Sequence, residues 1–221
     1  MKIKILFEDK NILAIEKPTG ILVHPDKKSK EKTIFDLFIK KYPKLEIVHR
    51  LDKETSGVLL LAKNLKAFEF LKDQFKNRKI KKTYNAIVSG WVKNDHGIIN
   101  KPIGRSPVDF RRRLAGRGAR GELREAITEY KVLKRFKDKK DNKFTFLEIK
   151  PKTGRTHQIR VHMKFLNYPI VCDSLYNPKG FCPKELNRLA LHAKIIEFKD
   201  LKEKTIKIES PLPKEFKKFF L

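Results

Sequence analysis

One uninterrupted apolar run constrains the fold of this chain more than any other feature of its sequence. Residues 58–62 read Val-Leu-Leu-Leu-Ala. A run of this length and composition fits a strand that is buried on both faces. Asn64 follows as a candidate helix N-cap, and the apolar spacing from Leu65 to Phe75 predicts one face of a helix. This stretch is therefore predicted as a buried strand followed directly by a helix.

Strand-like segments predominate along the remainder of the chain. Several are adjacent in sequence and joined by short connections, whereas a helical pattern returns at residues 156–166. We therefore expect an α+β fold with a mixed, mainly antiparallel β-sheet flanked by a few helices. A length of 221 residues fits one globular domain, so we expect a single domain over residues 1–221.

The charge balance indicates a polyanionic partner. The chain has 53 Lys and Arg residues against 26 Asp and Glu residues, which gives a formal net charge of +27. Such an excess repels itself in a compact state, and nucleic acid is the first candidate to offset it. An anionic membrane surface is the weaker candidate, because no segment combines a basic face with a broad apolar face. A Lys-rich composition that fills every solvated position would explain only part of this imbalance.

The arginines are concentrated, although Lys is the usual cation of this chain. Of 53 basic residues only 13 are Arg, and seven of these lie between Arg105 and Arg124, in a window without Lys. The planar guanidinium fork grips phosphate or carboxylate through two hydrogen bonds, which Lys does not. Residues 101–125 also match no regular element. They are predicted as a long loop, either a disordered basic insert or a mobile arm that closes on an RNA backbone.

Three short segments carry candidate chemistry. HRLDKETSG (residues 49–57) places Asp52 between Arg50 and Lys53 at the mouth of the apolar strand, where cations keep a carboxylate ionised. KTYNAIV (82–88) opens a strand with Tyr84, a ring on which a base could stack. KPKTGRTHQIRVH (150–162) puts Arg155 near a helix N-terminus, which favours anions. Taken singly, an ordinary charged turn and a half-buried strand tyrosine remain alternatives for the first two.

Nothing in the pattern predicts a metal site or a cofactor. His157 and His162 are five residues apart, so they point to different helix faces rather than forming an i, i+4 zinc pair. Cys172 and Cys182 show no zinc-ligand spacing and are interpreted as reduced core residues. The start of the chain lacks the apolar region of a signal peptide, and no stretch approaches the roughly 18 apolar residues of a membrane span. We expect a cytoplasmic protein.

Together, the motifs HRLDKETSG, VLLLAKN, KTYNAIVSG and GRTHQIRVHM, in this order, closely resemble the RluA-type pseudouridine synthases. The resemblance starts at ILFEDKNILAIEKPTGILVHP and continues through AITEYKVL to RLALHAKIIEF, so it covers nearly the whole chain. It implies the pseudouridine synthase fold and an isomerase that converts uridine to pseudouridine in RNA without a cofactor. The catalytic aspartate of the family falls on Asp52, acting as nucleophile or as base.

The resemblance also implies roles for other residues. Arg50 would enter the RNA helix where the uridine leaves, Tyr84 would stack near the target base, and Arg155 would pair with the catalytic carboxylate. Further RNA-binding candidates combine the Arg-rich segment with the two motifs: Arg105, Arg111, Arg112, Arg113, Arg117, Arg120, Arg160 and Lys53.

Many relatives carry a small RNA-binding domain before the catalytic one. Here the catalytic pattern begins by about residue 4, so we expect RNA selection to come from the catalytic domain itself. The expected partner is a stem-loop of ribosomal or transfer RNA, bound by a monomer with no membrane association. The alternative from another class is a non-catalytic RNA-binding or ribosome-assembly factor that keeps the same fold.

Overall fold

The structure, a computed structural model, describes residues 3–25 and 31–220. Within this part, the strands in chain order are β1 (Lys4–Glu8), β2 (Ile12–Lys17), β3 (Glu46–Ile47), β4 (Ser56–Ala62), β5 (Lys81–Ser89), β6 (His96–Asn100), β7 (Ile103–Arg105), β8 (Arg113–Ala115), β9 (Arg120–Arg124), β10 (Ile127–Lys137), β11 (Lys143–Pro151), β12 (Leu191–Lys199) and β13 (Thr205–Glu209). The helices are α1 (Ile34–Phe38), α2 (Leu65–Lys76), α3 (Gln158–Phe165) and α4 (Lys214–Phe220). Antiparallel strands with few helices confirm the predicted α+β class.

The chain divides into two compact units. Unit 1 comprises Met1–Lys82 and Ala193–Pro211, and unit 2 comprises Thr83–His192 and Leu212–Leu221. The boundaries fall inside β5 and β12, so each of these strands contributes residues to both units. That residues 1–221 act as one catalytic domain stays a prediction.

Unit 1 is built on the predicted buried strand. In its sheet the order is β1-β2-β4-β12, with β3 paired to β4 and β13 paired to β12. All seven residues of β4 are buried, as the apolar run predicts. Asn64 caps α2 as predicted, because its side chain accepts a hydrogen bond from the Ala67 amide at 2.9 Å. The buried face is shorter than expected, since Leu65 at the first helical position is 67% exposed.

Unit 2 contains two sheets. The larger has the strand order β5-β11-β10-β6, and the smaller has three strands in the order β8-β7-β9. This small sheet occupies the segment 101–125, so the prediction that no regular element lies there is wrong. Its strands are only three to five residues long and lack apolar alternation, and Gly116, Gly118 and Gly121 have positive φ angles that few other residues adopt. Ile103, Ala126, Val161 and Tyr176 form a separate small core beside it.

Two further expectations for unit 2 need correction. Helix α3 begins at Gln158 rather than at residue 156, because His157 has a left-handed backbone with φ of 57°. Cys172 and Cys182 form a disulfide with their Cα atoms 4.7 Å apart, so their assignment as reduced residues is wrong.

Across residues 3–25 and 31–220, no helix has the length and apolar content needed to cross a bilayer.

Candidate active site and RNA-binding surface

Asp52 lies on a tight turn in unit 1, as its sequence context predicts. The amide of Thr55 donates to the Asp52 carbonyl at 3.1 Å and closes the turn immediately before β4. Leu51 and Thr55 are buried on either side, whereas Asp52 is partly exposed and Arg50 is exposed. The fold therefore fixes the ends of the turn, and Asp52 and Arg50 keep part of their surface exposed.

The backbone of this turn is held by the end of β2 and the residues that follow it. Lys17 is fully buried, and its ammonium donates to the carbonyls of Lys53 at 3.0 Å and Pro18 at 2.9 Å. The amide of Gly20 donates to the same Lys53 carbonyl at 2.9 Å. The hydroxyl of Thr19 donates to the Glu54 carbonyl at 2.6 Å. These hydrogen bonds position the residues directly after Asp52.

Gly57 and His49 fix the two sides of the same segment. Gly57 has φ of +115°, and a Cβ there would lie 2.7 Å from the backbone nitrogen of Ala193, so only glycine fits without a shift. The Leu60 amide donates to Nε2 of His49 at 2.9 Å, which requires that nitrogen to be unprotonated. Burial, with a smaller contribution from Lys82, lowers the pKa of His49 to about 3. His49 is therefore a neutral structural residue at physiological pH.

Tyr84 belongs to unit 2, where it is the fourth residue of β5. It pairs with Ile149 of β11 and packs, half-buried, against the core of this unit. Lys53 remains in unit 1, with its ammonium 2.8 Å from the Glu31 carboxylate and its side chain 43% exposed. Each residue keeps an exposed portion. Stacking by Tyr84 and phosphate binding by Lys53 stay predictions.

Arg155 lies in the turn before α3, and Gln158 organises that turn. Oε1 of Gln158 accepts from the Arg155 amide at 3.0 Å and from the Thr153 hydroxyl at 2.7 Å. Its amide nitrogen donates to the carbonyl of Ile127 at 2.9 Å and to the hydroxyl of Thr128 at 3.0 Å. Nε of Arg155 donates to the Glu125 carbonyl at 2.9 Å. This network ties the Arg155 turn to the strand that follows the Arg-rich segment.

A cleft of about 390 Å³ separates this turn from the small sheet of unit 2. Four arginines line it, together with small residues and one acid: Arg105, Arg113, Arg124, Arg155, Gly104, Gly121, Gly154, Ile103, Thr156 and Glu122. Arg124 lies 3.6 Å from the Glu122 carboxylate. The excess of guanidinium groups makes the cleft suited to an anion. It brings the predicted residues Arg105, Arg113 and Arg155 to one place.

The arginines of the segment 101–125 differ in their surroundings. Arg111 donates to the Asp109 carboxylate through Nε at 3.1 Å and through a terminal nitrogen at 2.9 Å. A terminal nitrogen of Arg113 donates to the backbone carbonyls of Phe110 and Arg112, both at 3.0 Å. Arg105, Arg117 and Arg120 are exposed. Some of these guanidinium groups therefore stabilise the loop between β7 and β8, and others are exposed to solvent.

Arg160 differs from all of these because it is buried. Its side chain is 4% exposed, and two of its nitrogens donate to the Asp173 carboxylate, each at 2.8 Å. The carboxylate also accepts from the amides of Leu175 at 3.0 Å and Tyr176 at 2.9 Å. In this position the guanidinium supports the loop after α3. The RNA contact expected of Arg160 stays a prediction, and its burial disfavours it.

Sequence reasoning missed the residues that support the site. Lys17, Gln158 and Asp173 act through partners 36, 30 and 13 residues away, respectively. Lys17 and Gln158 stand within the family motifs, but their residue types alone do not indicate a supporting role. Among the described residues, no three His, Cys, Asp or Glu side chains are grouped to hold a metal ion.

Known proteins are similar to this chain over most of its length. Residues 11–165 match the family model described as RNA pseudouridylate synthase. A protein of Aquifex aeolicus (strain VF5) named as an uncharacterized RNA pseudouridine synthase is 42% identical over 194 residues, which are 83% of this chain and 59% of that protein. Ribosomal large subunit pseudouridine synthase D of Borreliella burgdorferi is 38% identical over 225 residues, 97% of this chain and 66% of that protein.

Solved structures agree with the sequence comparison. Human RNA Pseudouridylate Synthase Domain Containing 4 has a TM-score of 0.77 at 28% identity, covering 96% of this chain and 90% of that one. Human RNA Pseudouridylate Synthase Domain Containing 1 shares the fold with a TM-score of 0.80 at 24% identity, covering 96% of this chain and 84% of that one. The chain spans 59% and 66% of the length of the Aquifex and Borreliella relatives. Because the family model covers most of the chain and its motifs surround the turn at Asp52, this protein belongs to the RNA pseudouridylate synthase family.

Proposed function

We propose that this chain isomerises uridine to pseudouridine in RNA, with Asp52 as the catalytic residue. The observation that carries the proposal is the Asp52 turn. A partly exposed carboxylate lies on a backbone fixed by Lys17, Thr19 and Gly20, within a motif shared with the family. Catalytic groups are effective when a rigid scaffold holds them in place.

The reaction breaks the bond between C1′ and N1 of uridine, turns the base, and forms a bond between C1′ and C5. The proton on C5 leaves and N1 gains one, so the composition of the nucleotide is unchanged. An ionised carboxylate suits two roles here, attack as a nucleophile or removal of a sugar proton. Asp52 would supply either role without a cofactor.

The other predicted residues have roles in binding. The target must leave its helix, at a cost of a few kcal/mol. Exposed Arg50 would fill the gap that the uridine leaves, and Tyr84 would stack against the base. Arg155 would pair with the carboxylate or hold a phosphate. We also propose that residues 1–221 act as one catalytic domain.

Ribosomal RNA of the large subunit is the substrate that we favour. The net charge of +27 suits a highly charged RNA, and one similar protein is named for the large ribosomal subunit. Transfer RNA stem-loops are the second candidate. Because these RNAs are cytoplasmic, we also infer that the chain acts in the cytoplasm. We further propose that it acts as a monomer.

The test compares Asp52→Asn with the parent chain. We expect the variant to lose at least about a thousandfold in turnover, because the amide is neither an effective nucleophile nor a base. RNA affinity should be retained, as measured by filter binding. Exposed Glu46 of β3, changed to Gln, is the matched control in the same unit and should keep full turnover. Full activity of Asp52→Asn would remove Asp52 from the mechanism.

A map of pseudouridines in total RNA, from cells with and without the gene, identifies the substrate. Loss of sites in large-subunit ribosomal RNA is expected. Loss confined to transfer RNA would move the substrate there. An unchanged map from cells that express the protein would favour the non-catalytic RNA-binding factor on the same fold.

A further inference from the structure

The hairpin between β7 and β8 ends in two very exposed apolar side chains. Val108 is 93% exposed and Phe110 is 78% exposed, the highest values among the large hydrophobic residues of the described chain. Single exposed apolar residues are common, but here two lie within three residues of each other in one loop, and each leaves apolar surface in water. A phenylalanine in such a position is suited to contact a flat partner.

Hydrogen bonds within the loop fix this tip. The hydroxyl of Ser106 accepts from the amides of Val108 and Asp109, both at 3.3 Å. The Asp109 carboxylate, with a side chain 18% exposed, accepts from the Arg111 amide at 2.9 Å and from two nitrogens of its guanidinium. The amide of Arg112 donates to the Asp109 carbonyl at 2.9 Å. These hydrogen bonds hold the backbone of the loop and the Asp109 carboxylate in place, so little ordering remains to be done on binding.

Charge around the tip selects the kind of partner. Residues 105–124 contain seven Arg residues and only two acids, Asp109 and Glu122. Hydrogen bonds from Arg111 lower the pKa of Asp109 to about 2, so that carboxylate stays ionised and engaged with the loop. Exposed Arg105 lies next to the tip, and exposed Arg120 of β9 pairs with it across the small sheet. An anionic partner that also offers flat apolar faces fits this combination, and a nucleic acid has both.

We propose that Phe110, with Val108 beside it, is an apolar wedge that stacks on a nucleobase of the bound RNA. The proposal rests on the proposed function to the extent that RNA is the ligand. Arginines of the same hairpin would bind phosphates, whereas the wedge would contact a base. Side chains that insert between base steps help proteins to hold a nucleic acid in a distorted shape. This contact would assist the removal of the target uridine from its helix.

The wedge makes a prediction that separates it from the arginines. Losing a stacked ring weakens binding and leaves every phosphate contact in place, so the dependence of affinity on salt should not change. Removing a phosphate-binding arginine changes both the affinity and its dependence on salt. Affinity measured over a series of salt concentrations therefore distinguishes a base contact from a general effect on charge.

The experiment uses the full chain and an RNA stem-loop carrying 2-aminopurine in its loop. Phe110→Ala should weaken binding by about 5- to 150-fold, with an unchanged salt slope and less quenching of the 2-aminopurine. Phe110→Trp should recover affinity, because it also offers a ring. Ile98→Ala is the control, since Ile98 is 68% exposed in unit 2 but lies on β6, outside the hairpin. Thermal unfolding of each variant checks that the fold is retained.

Several results would overturn the wedge. Equal affinities of Phe110→Ala and Ile98→Ala would remove it, as would a change in salt slope equal to that of an arginine variant. If Phe110→Ala loses more affinity for vesicles of phosphatidylglycerol and phosphatidylcholine than for RNA, the tip would be assigned to a membrane surface. Asp52→Asn tests turnover and Phe110→Ala tests binding, so either proposal can fail while the other stands.

Discussion

The turn at Asp52 and the tip at Phe110 are each held by a charged side chain, but the two side chains have opposite signs. In unit 1 the cation is inside: Lys17 is fully buried, donates to backbone carbonyls, and a carboxylate is presented outside. In unit 2 the acid folds back: Asp109 holds Arg111, and arginines and apolar side chains are presented outside. Each segment uses one charged group to fix its backbone, Lys17 in unit 1 and Asp109 in unit 2, and leaves cations exposed, including Arg50 and Arg105. Residue type alone therefore does not show which charged residues support the fold.

The largest expected effect belongs to Arg160, a buried cation that lies in neither segment. Arg160→Met should destabilise the chain by about 3–5 kcal/mol, because it leaves the Asp173 carboxylate buried without its counter-charge. Urea unfolding measures the change. The double variant Arg160→Met/Asp173→Asn should recover part of the loss. Unchanged stability together with a flatter salt dependence of RNA binding would place Arg160 on the RNA-binding surface after all.

Lys17→Met should have the next largest effect and tests the buried cation of the Asp52 turn. Removal of the ammonium leaves the carbonyls of Lys53 and Pro18 without this donor, at a cost of about 1.5–3 kcal/mol. Turnover should fall more than RNA affinity, since Lys17 positions the turn and is buried away from solvent. Lys10→Met, at an exposed position in the same unit, is the control. Normal turnover in Lys17→Met would show that the turn is held by its other hydrogen bonds.

The smallest effect on stability is expected for the exposed arginines of the segment 101–125. Changing Arg105, Arg117 and Arg120 to Gln should leave the free energy of unfolding nearly unchanged. The slope of log affinity against log salt should flatten by about 0.7–0.9 for each phosphate that is no longer neutralised. Arg111→Gln should flatten it less, because Arg111 is engaged with Asp109. Equal slopes for all these variants and the parent chain would exclude these arginines from phosphate binding.

Local features of the sequence predict the parts of this structure that depend on local physics. The apolar run of β4, the Asn64 cap and the turn at Asp52 all follow from residues within a few positions of one another. The small sheet of unit 2 escapes prediction, because β9 is exposed along its whole length and offers no apolar alternation.

Long-range partners explain the other misses. The burial of Arg160 depends on Asp173, and the role of Lys17 depends on a carbonyl 36 residues away. The disulfide depends on the loop after α3, which brings Cys172 and Cys182 together across a separation of ten residues. The pattern of residues along the sequence does not indicate these long-range contacts. The family motifs predict where the chemistry lies but not which residues hold it there.

The discontinuous composition of unit 1 has a consequence for biosynthesis. Strand β4 gains its neighbour β12 only from residues 193–199, and Gln74 exchanges two hydrogen bonds with Lys199, both at 2.9 Å. A chain emerging from a ribosome starts with its N-terminus, so the sheet of the segment bearing Asp52 cannot be completed before residues 193–199 have been translated. Until then, the edge of β4 that pairs with β12 lacks its partner strand, and a nascent chain would depend on holding factors or on rapid completion. A premature stop codon before residue 193 should therefore yield an insoluble product rather than a smaller enzyme.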